Sequence, residues 1–217
     1  MPNLIPYSGR TGKIVGMSLA LSLIVGMFAG STAALAVSPQ DNVRGFYDTL
    51  LTTMRNGPTL GQSGRYARLA PVVDRVFDVS SMTRLAIGPT WATLSPARQQ
   101  QLIDAFRHYV AATYADRFDS YSGQQLQVTG ERPYNADVIV QTKIVKSDGD
   151  TTTIDYLVHQ NEGSWQISDV YLDGTISQLA IQRSEFHSIL RREGVDGPVM
   201  ALNRKVDLLG KGEAKSS

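Results

Sequence analysis

The apolar pattern of this chain changes its period at Leu126. Before that residue, apolar side chains recur at three- and four-residue spacing, which places them on one face of a helix. After it, apolar and polar residues alternate as in a half-buried strand, and Asp148-Gly149 separates two alternating runs, a strong hairpin signal. Helical spacing returns after Gly174. Helices before and after a run of strands predict an α+β domain, with helices on one face of a curved antiparallel sheet.

Turn and cap residues set the bounds of the predicted elements. We expect helices to begin at the caps Ser38, Asp78 or Ser80, Ser95 and Ser177. The helix after Ser95 is expected to end near 121–123, and a glycine-rich loop is expected through Gly64. A sheet folded against so long a helix forms a cone of the NTF2-like type, which encloses an apolar pocket. The predicted strands cover 137–146, 151–159 and 165–172, with a fourth near 126–128.

The first residues have the layout of a secretory signal peptide. Arg10 and Lys13 precede an uncharged run over 14–28, and residues 34–36 supply the small side chains that a signal peptidase needs. An uncleaved anchor helix is the alternative, but the apolar run is shorter than the ~20 residues that span a bilayer. The predicted organisation is a signal peptide over 1–36, a single domain over 37–209 and a disordered tail over 210–217.

Charge and cysteine content exclude several classes of function. Cleavage after Ala36 removes two of the 21 basic residues and none of the 20 acidic ones, so the mature chain is near neutral. That balance disfavours nucleic-acid binding. The absence of cysteine excludes disulfides, cysteine-ligated zinc and a thiol nucleophile. The three histidines lack metal-ligand spacing, and there is no nucleophile elbow, so we expect no metal, no cofactor and no catalytic residue.

Two alternatives remain at this point. An NTF2-like enzyme would hold a general base among apolar side chains, and the candidates are Asp104, His108, Asp155 and His159. Asp155 and His159 share one face of the predicted strand, so this pair is the best enzymatic candidate. A lipoprotein chaperone is the second alternative, since a large apolar cavity also suits a protein-bound acyl chain.

Short motifs over most of the mature chain share the order and spacing of one known family. The most specific stretch runs from Trp165 to Gly174. The other positions are Val76–Asp78, Met82, Leu85, Gly88, Trp91, Leu94–Pro96, Phe106, Thr113–Tyr114, Phe118, Tyr121–Gly123, Ser177, Arg183 and Phe186. Together they resemble the MlaC-like periplasmic phospholipid-binding proteins, the toluene-tolerance auxiliary family. Ile181-Gln182 replaces the family's frequent Asn-Tyr, and this departure and the glycine-rich segment 57–64 resemble the hopanoid-associated HpnM branch.

The resemblance implies a carrier and not an enzyme. Members of the family are expected to shuttle lipid, as monomers in the periplasm, between an outer-membrane lipoprotein–porin complex and an inner-membrane ABC transporter with an MCE-domain ring. The cargo would be a phospholipid or, in the HpnM branch, a hopanoid. Polar residues of the specific stretch are expected to be structural, with Asp169 pairing with Arg183 or capping a helix end.

A carrier of this kind needs an apolar pocket, and the apolar stripes supply the candidates. Each candidate is equally a candidate for ordinary core, because periodicity does not distinguish a side chain facing a cavity from one facing a packed neighbour. The predicted pocket residues are Val76, Phe77, Met82, Leu85, Ile87 and Trp91 before the long helix, Phe106, Tyr109, Val110 and Phe118 on it, and Val138, Val140, Ile154, Tyr156 and Val170 on the sheet.

Overall fold

The computed structural model describes residues 37–211, so the predicted signal peptide and residues 212–217 of the predicted tail lie outside the described residues. The helices are α1 (Pro39–Arg55), α2 (Gly57–Val76), α3 (Val79–Ile87), α4 (Pro96–Arg117), α5 (Gln178–Glu193) and α6 (Gly197–Gly210). The strands are β1 (Gln125–Tyr134), β2 (Asp137–Val145), β3 (Thr151–Asn161), β4 (Ser164–Leu172) and β5 (Ile176–Ser177). Short 3₁₀ turns cover Gly88–Thr93 and Gly194–Asp196.

Side-chain caps start four of these helices, as the sequence predicted. Each capping oxygen accepts a hydrogen bond from a backbone amide three residues later, which satisfies a donor that has no partner within the helix. The acceptors are Ser38, Asp78, Ser95 and Ser177, and the donors are the amides of Asp41, Ser81, Arg98 and Ala180, at 2.9 to 3.3 Å. Of the two residues proposed to cap α3, the structure therefore selects Asp78.

The glycine-rich loop expected through Gly64 is absent, and that prediction was wrong. The segment is the start of α2, with Pro58 in its first turn and a kink at Gly61, whose φ of 60° only glycine adopts easily. Gly57 is needed for close packing, because a Cβ there would lie 1.8 Å from the carbonyl oxygen of Asp119. The buried guanidinium of Arg65 fixes this bend, with Nε donating to the Ala115 carbonyl (2.7 Å) and Nη1 to that of Gly57 (3.0 Å).

Helix α4 ends at Arg117, before the expected end near 121–123. Phe118 leaves the helical conformation, with φ −107° and ψ 57°, and its ring stacks on Tyr114 with centroids 5.7 Å apart. Burying that ring directs the chain toward β1. Packing therefore ends the helix earlier than the turn residues alone would indicate.

The five strands form one antiparallel sheet in the order β1-β2-β3-β4-β5, which is curved and open. Register shifts at Val128/Gly130 in β1 and opposite Leu157/Val158 in β3 bend it. The predicted hairpin turn between β2 and β3 is confirmed, with Gly149 at φ 93°. β1 extends well beyond the predicted stretch near 126–128, and β5 adds a short edge next to β4.

Helix α1 packs against the sheet, α4 and the end of α2 through aromatic rings. The Phe46 ring meets Phe77, Tyr114 and Tyr156 edge-on, with centroids 5.4, 5.0 and 6.4 Å apart. Such pairs add to the apolar area that the rings bury. The α+β fold class predicted from the sequence is confirmed. Within residues 37–211, no helix combines the length and apolar character that crossing a membrane requires.

Candidate functional site

A cavity of about 190 Å³ lies between α4, the sheet and α5. Most of its surface is apolar, because α4 and the sheet contribute mainly apolar side chains to it. Helix α4 contributes residues from Phe106 to Arg117, a length of about 17 Å at the helical rise per residue, and Phe118 follows directly after it. The lining residues are Phe77, Met82, Phe106, Tyr109, Val110, Thr113, Tyr114, Arg117, Phe118, Ile154, Val170, Leu172, Gln178, Leu179, Ile181, Gln182, Glu185 and Lys205.

An ion pair closes part of this lining, between α5 and α6. Lys205 Nζ lies 2.6 Å from Glu185 Oε2, and both side chains are about one third exposed. The same ammonium lies 5.1 Å from the centroid of the Tyr109 ring on α4, a cation–π contact. The buried amide of Gln182 donates to Glu185 at 3.3 Å. Polar contacts therefore join three helices at the cavity, and they satisfy both charges internally.

Arg117 is the other cation of the lining. It lies in the last turn of α4 with its side chain exposed, and none of the ion pairs found in residues 37–211 includes it. Its neighbour Tyr114 is partly buried against the core, and burial raises the pKa of the Tyr114 hydroxyl well above its usual range.

The structure brings part of the predicted pocket together. Phe77, Met82, Phe106, Tyr109, Val110, Phe118, Ile154 and Val170 all line the cavity. Val76, Ile87, Val140 and Tyr156 are buried in the core, and Val138 and Trp91 are partly buried against it. Leu85 lies on the surface of α3, 47% exposed. That the lining residues contact a lipid stays a prediction.

The α5 wall was not among the predicted pocket residues. Two of its lining side chains are apolar: Leu179 belongs to the apolar stripe of that helix, whereas Ile181 is half exposed and lies outside the stripe. Gln178, Gln182 and Glu185 are polar, so no apolar pattern marks them. Asp169 fixes the start of the wall, because its carboxylate accepts from the Leu179 amide (3.0 Å) and from Ser177 Oγ (2.5 Å). The predicted structural role of Asp169 is confirmed in its capping form.

The enzymatic pair is not brought together. Asp155 and His159 lie four residues apart on β3, about 13 Å along the strand. His159 Nε2 lies 2.9 Å from Asp78 Oδ2, and Asp155 Oδ1 accepts from the Thr142 amide at 3.3 Å. Neither side chain lines the cavity.

The two candidate bases on α4 also face away from the cavity. Asp104 pairs with Arg107 at 2.5 Å, and the ring of His108 meets Tyr66 with centroids 6.2 Å apart. Across residues 37–211, no group of histidines and carboxylates is arranged to hold a metal ion. The geometry of the cavity is thus that of an apolar binding site with a charged rim.

Two comparisons with known proteins bear on this site. The family model described as MlaC protein matches residues 44–204. Among solved structures, the chain is similar to a phospholipid-binding protein from Ralstonia solanacearum in complex with a phospholipid. The two are 25% identical with a TM-score of 0.67, and the match covers 79% of this chain and 98% of that one.

Proposed function

The chain belongs to the MlaC family, and from that premise we propose that it binds a phospholipid by its acyl chains in the cavity between α4, the sheet and α5. The observation that carries the proposal is the apolar cavity itself. It occurs in a chain whose fold matches that of a protein solved with a phospholipid over 98% of the latter's length. The family is one of lipid-binding carriers without enzymatic activity.

The free energy of lipid transfer explains why a carrier needs such a cavity. A two-tailed phospholipid has ~30 methylenes, which would cost over ~20 kcal/mol to expose to water at ~0.8 kcal/mol each. A carrier must therefore enclose nearly all of both chains. The bilayer offers the same burial, so exchange between membrane and cavity is close to balanced, and partners set its direction.

The cavity must widen to accept this cargo. Its volume of about 190 Å³ is below the ~300–1,000 Å³ of sites for drug-sized ligands. Backbone hydrogen bonds between strands hold the wall of the cavity that the sheet forms. By contrast, α5 and α6 contact α4 partly through the Glu185–Lys205 ion pair and the Tyr109 ring, and the two charged side chains are partly exposed. We propose that α5 and α6 separate from α4 only near this ion pair on loading, because its polar contacts can be exchanged for water at low cost, while the buried Phe186 and Leu202 keep the two helices anchored in the core.

The proposed route follows the family. The MlaC family is periplasmic, and we place this chain there after cleavage of residues 1–36. We propose that it moves lipid between an outer-membrane lipoprotein–porin complex and an MCE-domain ABC transporter of the inner membrane. The cargo is a phospholipid, with a hopanoid as the alternative for the HpnM branch.

Native mass spectrometry of the mature protein, purified from a host with phospholipid membranes, tests the proposal. We expect close to one lipid per chain, identified by solvent extraction and lipid analysis. Protein emptied by organic solvent and refolded should reload from phospholipid vesicles. A chain that purifies empty and stays empty after incubation with vesicles would contradict the proposal, and recovery of a hopanoid alone would replace the cargo.

A further inference from the structure

We infer that Arg117 binds the phosphate of the cargo, so that the site prefers a lipid with a phosphate to one with the same chains and an uncharged head. This inference rests on the proposed function and adds a specificity-determining residue to it. It depends on which charges line the cavity, which of them are already paired, and where each lies relative to solvent.

Three charged side chains line the cavity, Arg117, Glu185 and Lys205. Lys205 is paired with Glu185 at 2.6 Å, so a phosphate approaching that ammonium would also meet a carboxylate. Arg117 takes part in none of the ion pairs found between residues 37 and 211. Arg117 is therefore the lining cation that the one lining carboxylate, Glu185, does not pair with, and guanidinium binds phosphate oxygens in a two-pronged geometry.

The position of Arg117 suits an interfacial contact. Tyr114 on the last turn of α4 and Phe118 directly after the helix both line the cavity, whereas Arg117 is exposed at the helix end. A long arginine side chain can cover apolar surface with its methylenes and keep its charge in water. The charge is close enough to the cavity wall to act on the Tyr114 hydroxyl, whose pKa it lowers against the larger opposing effect of burial.

A phospholipid bound in the cavity would bring its phosphate to the solvent edge, where Arg117 lies. With both chains among the apolar side chains of α4 and the sheet, the phosphate is the first charged group at the solvent edge. The alcohol beyond it lies further out and meets no described charge of the lining. The structure thus predicts selection for the phosphate and indifference to the head-group alcohol, and it disfavours a cargo that lacks a phosphate.

A competition experiment tests this. The delipidated full mature protein is incubated with vesicles containing equal amounts of phosphatidylcholine and diacylglycerol with identical chains, and the bound lipids are counted by native mass spectrometry. Phosphatidylcholine has no net charge, so attraction of the whole protein to the vesicle is small. We expect Arg117→Gln to lower the ratio of bound phospholipid to diacylglycerol by about fivefold, the size of an exposed charge-assisted contact.

The control is Arg68→Gln, which removes the same charge from an exposed position on α2 outside the lining. It should leave the ratio unchanged, and Arg117→Lys should recover part of it. Raising the salt concentration should lower the ratio for the wild type and not for Arg117→Gln. An unchanged ratio in a glutamine variant that still binds both lipids would overturn the role of Arg117 alone. A wild-type protein that binds neither lipid would overturn the proposed function, and this inference with it.

Discussion

The same substitution at two valines of the sheet should have opposite effects on stability. Val170 on β4 lines the cavity, whereas Val140 on β2 is fully buried in the core. Both are apolar positions of alternating strands, so the sequence does not separate them. Val170→Phe extends a side chain into empty space, and Val140→Phe forces the same ring into packed neighbours.

The cavity volume sets the magnitude of the first effect. At roughly 24 cal/mol per Å³, an empty cavity of about 190 Å³ costs the delipidated protein at most about 5 kcal/mol. Phenylalanine adds about four carbons to valine, worth up to about 3 kcal/mol if they are fully buried. The ring does not match the cavity perfectly, so we expect Val170→Phe to stabilise the empty protein by about 1–2 kcal/mol. Val140→Phe should destabilise it by about 1–3 kcal/mol.

Urea denaturation and thermal melting of the delipidated proteins measure both changes. For a domain of this size each kcal/mol corresponds to about 2–4 °C, so the melting temperatures should move in opposite directions by several degrees. Loading from phospholipid vesicles should fall strongly in Val170→Phe, because the ring occupies the volume of the acyl chains. Equal destabilisation by both substitutions would refute the cavity at Val170, and normal loading of Val170→Phe would refute its use by the lipid.

Three further predictions concern stability. Burial raises the pKa of Tyr47 to about 12. The folded protein therefore keeps that proton where the unfolded chain loses it. The stabilisation from this one group is complete below about pH 10 and is lost by about 1.4 kcal/mol per pH unit above it, in addition to the loss from Tyr114, whose pKa burial also raises. Urea midpoints between pH 9 and pH 11 measure this slope, which Tyr47→Phe should reduce. Arg65→Met should cost about 3 kcal/mol in urea denaturation by leaving buried carbonyls unpaired, and Arg65→Lys should cost less. Gly57→Ala should lower the melting temperature by many degrees, because its methyl would overlap the Asp119 carbonyl, whereas Gly45→Ala, with open space in α1, should raise it slightly.

The local elements of this protein follow from its sequence. The helix caps and the β2–β3 hairpin turn depend only on residues a few positions away, so the local sequence is enough to locate them. The caps are Ser38, Asp78, Ser95 and Ser177, and the turn contains Gly149. The change of the apolar period predicted the α+β class, and the order of the short motifs predicted the MlaC family. The prediction failed where tertiary packing opposes a local signal. The glycines of 57–64 predicted a loop, but in the structure they allow close packing and a kink at the start of α2.

The site depended on distant contacts. The apolar periodicity identifies the buried face of an element, but it does not show whether that face contacts a packed neighbour or a cavity. It therefore predicted both Val140 and Val170 as pocket residues, although only Val170 lines the cavity. Likewise, the strand pattern placed His159 and Asp155 on one face, but the fold brings Asp78 to within 2.9 Å of His159. The sequence alone determined most of the helices, three of the strands, the α+β class and the family. Only the tertiary structure, by packing α5 on α3, α6 and β4, decided which apolar side chains surround a cavity and which cations line it.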